Sequence, residues 1–240
     1  GFAGITIWAI QMAWIPFFAA GVINGIGHWW GYRNFDSPDT STNISPWGML
    51  IGGEELHNNH HTYASSAKFS SKWYEFDLGW CYISILSALG LAKVKKTIPK
   101  AVFVSNVPVD EHTLESIIKN RYEVMASYAQ SLRQSVKAEI EILRTTNEGA
   151  AQRLSAIRKS LLRDTDHISG DVVARVEQNI VVSPTVQKLY EMRNELAMLW
   201  RRSSLTRDEL LAHLHDWCER AEQSGIEALQ RFSLQLRTYR

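Results

Sequence analysis

The first 32 residues contain no Asp, Glu, Lys or Arg, and Arg33 is the first charged side chain. Within GFAGITIWAIQMAWIPFFAAGVINGIGHWWGY, Gln11 and Asn24 are the only amides. A bilayer span needs about 20 mostly apolar residues, and this run supplies them. A helix on a globular core would show a polar face, and this one shows none. The pattern therefore predicts one transmembrane helix over 3–27; a core helix of a large soluble protein is the competing reading. Pro16 would break a soluble helix but is more readily tolerated in a membrane helix. Trp29, Trp30 and Tyr32 follow, as an interfacial aromatic belt does. No basic segment precedes the run, so it is a poor signal peptide, and Gly1 is expected to lie mid-chain.

Lys and Arg number 26 and Asp and Glu 25, so net charge argues for neither nucleic acid nor an acidic partner. The charges are unevenly spread: residues 111–240 hold 19 of the basic and 18 of the acidic residues. Two cysteines, Cys81 and Cys218, exclude a disulfide framework and fit a reducing compartment. Residues 31–48 read as loop, rich in Gly, Pro, Asp, Ser and Asn. Residues 47–64 read as a helix. The apolar stretch 77–94 is short for a span and reads as a re-entrant or interfacial helix. Lys93, Lys95, Lys96 and Lys100 follow it, which places that end on the cytoplasmic face.

Beyond a hinge bracketed by Pro99 and Pro108 the sequence favours helix. Leu114, Ile118, Met125, Tyr128, Leu132 and Val136 form a helical stripe, and Leu154, Ile157 and Leu161 a second. Ser183-Pro184 opens a helix with Pro at its first position. Thr206 with Glu209 makes a capping box. The expected organisation is a membrane-embedded portion over 1–100 and a cytoplasmic helical tail over 101–240, folded as a helical hairpin or short coiled coil.

Three of the eight histidines fall in GGEELHNNHHTYAS. His57, His60 and His61 are spaced i, i+3 and i+4, so on a helix they share one face. Imidazole is the commonest metal ligand, and three on one face are hard to explain by packing, since each nitrogen needs a partner. A surface histidine cluster is the bland alternative. His28 ends the membrane helix, one turn after Asn24, at a depth where polar residues usually mark function. The set suits zinc, copper or iron, and residue types do not choose among them. No Glu follows His57, so the zinc-protease pattern H-E-x-x-H is absent. His213, His215 and Cys218 read as a solvated helix face, and His112 and His167 as surface residues.

NGIGHWWGYRNFD followed by GEELHNNHHTY resembles the membrane fatty-acid desaturases, nearest the bacterial delta-9 acyl-CoA or acyl-lipid type, over about residues 1–100. The first motif is similar to that family's N-x-x-x-H before G-x-R, the second to its last histidine box. The resemblance implies an all-α fold: a membrane helical bundle, here its incomplete C-terminal half, with a soluble helical tail. The tail from 111 resembles, much less specifically, C-terminal extensions of some bacterial members. The family's other boxes, H-x-x-x-x-H and a further H-x-x-H-H, are absent and are expected upstream of Gly1, so this portion alone is expected to be inactive.

What the resemblance implies for chemistry is O2-dependent dehydrogenation of a saturated acyl chain to a cis double bond at two non-haem irons. His28, His57, His60 and His61 would be ligands, with Asn24 reaching an iron through water. Glu54, Glu55 and Asp77 are candidates to hold the imidazoles' second nitrogens, although acids before a helix also suit its dipole. Trp8, Trp14 and Phe18 could line an acyl tunnel or simply face lipid. Arg33 could bind the acyl carrier's phosphate or cap its loop. The expected partners are an acyl-CoA or acyl-lipid substrate, membrane lipid, and a separate ferredoxin- or cytochrome-type electron donor with its reductase. A separate donor is expected because the chain has neither a nucleotide-binding glycine loop nor an iron–sulfur cysteine set. The expected location is the bacterial inner membrane, with site and tail cytoplasmic. The alternatives are a membrane di-iron alkane or sterol hydroxylase, and a non-catalytic membrane-anchored scaffold.

Overall fold

The computed structural model describes residues 1–104, 109–201 and 205–240; Pro108 of the expected hinge lies outside them. Among the described residues the chain is all-α apart from one two-residue strand pair, and it divides into two compact units, Gly1–Ile98 and Pro99–Arg240.

The first unit opens on a continuous helical rod. Helix α1 (Phe2–Ile15) passes into a π-helical stretch over Pro16–Ile23 and ends as α2 (Asn24–Gly27). Proline lacks an N–H and its ring crowds the carbonyl four residues back. A wider π turn starting at Pro16 accommodates both, so the rod continues where a soluble helix would stop. The rod's 26 residues are long and apolar enough to cross a membrane. At about 1.5 Å per residue they reach roughly 39 Å, beyond the ~30 Å hydrocarbon core. No side chain of α1 is buried.

After the rod the chain folds back on itself. Tyr32 pairs with Asn43 in an isolated bridge. Strands β1 (Trp47–Gly48) and β2 (Phe76–Asp77) pair in parallel, Trp47 opposite Phe76. Between them lies α3 (His57–Thr62). The helix expected over 47–64 is therefore only six residues long. Gly52 and Gly53 take φ of 62° and 103°, left-handed backbone that a helix cannot contain. Helix α4 (Leu78–Ala88) follows, capped by the Asp77 carboxylate. None of its residues is buried, and it is shorter than a membrane span.

The second unit has one core built from seven helices: α5 (Glu111–Lys119), α6 (Arg121–Thr146), α7 (Glu148–Ile157), α8 (Gly170–Ile180), α9 (Pro184–Met198), α10 (Arg207–Gln223) and α11 (Glu227–Arg237). This is more than a hairpin. The extra turns arise where Asn147 caps α7 with its side chain, where the chain is extended at Arg163 and Asp164, and where Gly225 adopts positive φ. The stripe is correct in period but partly shifted: Ile117 and Val124 are buried, while Ile118 and Met125 flank the core. Tyr128, Trp217 and Phe232 meet edge to face at its centre. The Tyr128 hydroxyl and Trp217 indole donate to the Leu189 and Met192 carbonyls of α9, at 2.7 and 2.8 Å, so their polar ends are satisfied inside the core. Both expected N-termini are present: Ser183 caps α9, with Pro184 first in the helix, and Thr206 and Glu209 form the capping box of α10.

Candidate metal centre

The end of the membrane rod meets α3 at Gly27. A β-carbon there would fall 2.8 Å from Cδ2 of His57, so only glycine allows the approach. The backbone and side chain of Thr42 both donate to the Gly27 carbonyl, at 2.6 and 2.9 Å, and fix the turn. His28 is thereby carried onto α3. Its ring centre lies 5.0 Å from that of His57 and 4.9 Å from that of His61, while His57 and His61 are 4.3 Å apart. One ligand nitrogen from each of His28, His57 and His61 falls within 4.8 Å of the others. Among the described residues this is the one such group of His, Cys, Asp or Glu.

His57 is buried, and neither of its ring nitrogens has a hydrogen-bond partner. The nearest acid, Glu54, holds an oxygen 4.0 Å from Nδ1. Two orphaned nitrogens on one buried ring are costly unless something binds them. Burial, with the neighbouring His61, His28 and His60, lowers the His57 pKa to about 4, so the ring is neutral at physiological pH and its lone pair is free. His60 shares the helix but stands outside the trio, 6.4 Å from His57 and 5.7 Å from His61, with its ring against Phe69 at 4.6 Å. Its Nδ1 is also buried without a partner.

Asn58 and Asn59 mount the histidine helix. Oδ1 of Asn58 accepts from the backbone of Asn34 and Phe35, at 2.9 and 3.0 Å, and its amide donates to the Phe35 carbonyl at 3.1 Å. Asn59 accepts from Asn34 and Asn43 and donates to the Phe69 carbonyl and to Glu75. Glu75 collects further bonds from Tyr32, Asn34, Ser71 and the Lys72 backbone. Its carboxylate and the burial of Tyr32 together raise the Tyr32 pKa.

Asn24 is exposed on the rod. Glu55 accepts from the backbone of Leu50 and Ile51, and Asp77 from that of Phe69, Ser70 and Trp80, so both brace loops rather than imidazoles. Trp8 and Trp14 are exposed on α1; Trp14 and Phe18 stack with ring centres 4.1 Å apart. Arg33 spends its guanidinium on the carbonyls of Ser37, Asp39 and Ser41. The sequence reading missed Asp39, which bonds Nδ1 of His61, and Thr40, whose hydroxyl lies 3.3 Å from Nδ1 of His28. Hydrogen bonds from Ser41, Ser37 and His61 outweigh burial and hold the Asp39 pKa well below the usual range. In the second unit the expected solvated face is corrected in one place: His213 and His215 are exposed, His215 bonding the Val109 carbonyl, but Cys218 is buried in the core.

Two different families match this chain. A family model described as Transposase matches residues 94–240. Among curated proteins, the chain is similar to the sn-2 palmitoyl-lipid 9-desaturase of Nostoc sp. (strain 36), 45% identical over 71 residues, covering 30% of this chain and 25% of that protein. It is 37% identical over 103 residues to the Delta-9 desaturase-like 1 protein of Arabidopsis thaliana, covering 37% and 34%. It is also 37% identical over 86 residues to the sn-1 stearoyl-lipid 9-desaturase of Anabaena variabilis, covering 36% and 29%. The chain thus spans about a third or less of the length of these relatives. No solved structure matches it. The second unit, expected as a desaturase extension, is instead matched by a transposase family.

Proposed function

We propose a function from one premise: the chain belongs to the membrane fatty-acid desaturases through the unit that carries its histidine motifs, and to a transposase family over residues 94–240. The first unit is the C-terminal part of the catalytic site of an acyl desaturase. It serves O2-dependent conversion of a saturated acyl chain, carried on CoA or lipid, to a cis alkene. The observation that carries this is the convergence of His28, His57 and His61 around His57's two orphaned nitrogens.

The donor set fits iron: three imidazoles with a ligand nitrogen each within 4.8 Å of the others, and both nitrogens of His57 without a partner. His28, His57 and His61 would hold one ion, and His60, outside that trio, would serve a second. Asn24 would reach the centre through water. Two irons, when bound, supply the oxidising chemistry that removes hydrogen from unactivated methylenes, which no side-chain acid or base can do. The protein's own part is placement. The rod end and α3 fix the rings, Asn58 and Asn59 fix α3, and low polarity around His57 keeps it unprotonated. Trp8, Trp14 and Phe18 offer apolar surface for lipid or acyl chain. Electrons come from a separate ferredoxin- or cytochrome-type donor with its reductase. The membrane is the bacterial inner membrane. The lysines after α4 support a cytoplasmic side for that end, and the site and residues 101–240 are read as cytoplasmic too.

Split complementation tests the reading. The chain is co-expressed with a polypeptide carrying the upstream histidine boxes of the Nostoc relative, in a host lacking lipid desaturases, and membrane fatty acids are analysed. New monounsaturated acyl chains, absent with either piece alone and absent with His57→Ala, are expected. Hydroxylated chains would move the assignment to the hydroxylase. Saturated lipids throughout, with both pieces in the membrane, would count against catalysis.

A further inference from the structure

We infer that the loop Ser37–Ser41 is the orienting element of the histidine cluster, with Asp39 and Thr40 as positioning residues that turn Nε2 of His61 and His28 toward the shared ligand point. The inference rests on the metal-site reading above and adds to it which atoms bind and what holds them.

The two oxygens of Asp39 are used differently. Oδ1 accepts three bonds from its own loop: the Ser37 hydroxyl at 2.8 Å, the Ser41 hydroxyl at 2.6 Å and the Ser41 backbone at 3.0 Å. Those bonds fold the loop. Oδ2 takes no part in them and bonds Nδ1 of His61. A carboxylate only accepts, so this contact fixes the proton on Nδ1 and leaves the Nε2 lone pair for a metal. Next to it, Thr40 places its hydroxyl 3.3 Å from Nδ1 of His28. Two adjacent loop residues thus address the equivalent nitrogen of two rings.

The loop is itself rigidly mounted. Nη1 of Arg33 donates to the carbonyls of Asp39 and Ser41, both at 2.9 Å, and Nη2 to the carbonyl and hydroxyl of Ser37 at 3.0 and 3.1 Å. The amide of Asn58 donates to the Ser37 hydroxyl at 3.2 Å, which ties the loop to the same helix that carries His57 and His61. Arg33, a candidate for the acyl carrier's phosphate, is therefore assigned to bracing this loop. A loop needed only for its own turn would use Oδ1 and the serines and leave Oδ2 to water.

The experiment is histidine 15N NMR of the full metal-free chain in detergent micelles, followed by anaerobic Co(II) titration read by visible absorption. In the wild type, His61 is expected as the Nδ1–H tautomer. Asp39→Asn keeps an oxygen for the serines and presents an NH2 to His61. It is expected to move the His61 proton to Nε2 and to weaken Co(II) about 10- to 100-fold, the range for lost partners of metal-binding histidines. Asp39→Glu, which keeps the carboxylate, is expected to restore the tautomer. Unchanged tautomers in Asp39→Asn would overturn the inference, whether or not cobalt binds. Normal tautomers in a wild type that binds no cobalt would instead overturn the metal-site reading. Should Asp39→Asn not fold, Thr40→Val tests the same loop through the loss of its hydrogen bond to Nδ1 of His28, and an unchanged His28 15N Nδ1 shift would overturn it.

Discussion

At the residue scale, HNNHH is two devices interleaved. The histidines at i and i+4 enter the cluster, the one at i+3 stands beside it against Phe69, and the asparagines between them bolt a six-residue helix to loops on either side. Helices this short are not stable alone, so the side-chain amides replace missing helical length. Asn59→Ala is expected to destabilise the first unit by about 1–3 kcal/mol, because it strands buried partners at Asn43, Phe69 and Glu75. Thermal melts in detergent check this, and an unchanged midpoint would contradict it. The histidine face was legible in the sequence because helical spacing is local. The roles of Asp39, Asn59 and Glu75 were not, because the contacts Asp39–His61, Asn59–Glu75 and Tyr32–Glu75 span 22, 16 and 43 positions. Composition marks 31–48 as loop without saying which side chain meets which.

At the element scale, local chemistry set most boundaries. The uncharged run became one continuous helical rod, long and apolar enough to cross a membrane, and Pro16 widened it. The short apolar helix after Asp77 stayed exposed, and Ser183-Pro184 and Thr206-x-x-Glu209 opened helices where their capping chemistry places them. Helix α3 was overestimated because apolar and histidine periodicity outweighed two consecutive glycines, whose positive φ decided the matter. Thr206→Ala removes one side of the α10 capping box and is expected to cost about 1 kcal/mol. Urea unfolding followed by Trp217 fluorescence measures it. Trp217→Ala, at the centre of the aromatic trio, is expected to cost about 3–5 kcal/mol, and thermal unfolding by circular dichroism reports that. A cost below 1 kcal/mol would mean the trio does not organise the core.

At the scale of the whole molecule, two observations fall within a few residues of each other. The transposase match begins at residue 94, and the chain divides into compact units after Ile98. Each unit has its own organising principle: a membrane rod with a polar histidine mount, and a seven-helix apolar core. The sequence hinted at the divide through its charge distribution. It gave no sign of the second family, because a helical stripe with mixed charges is common to many helical proteins. Lys93, Lys95 and Lys96 lie exposed in a stretch without helix. Brief trypsin treatment in detergent is expected to cut there first and release a second unit that still melts cooperatively. Release of unfolded peptide would contradict independent folding.

The central claim is that His28, His57 and His61 form a metal site, and anaerobic Co(II) binding to the full detergent-solubilised chain tests it most directly. The account predicts saturable binding with nitrogen-ligand d–d bands, lost in His57→Ala and retained in His213→Ala. Equal binding by wild type and His57→Ala, or none by the folded wild type, would contradict it.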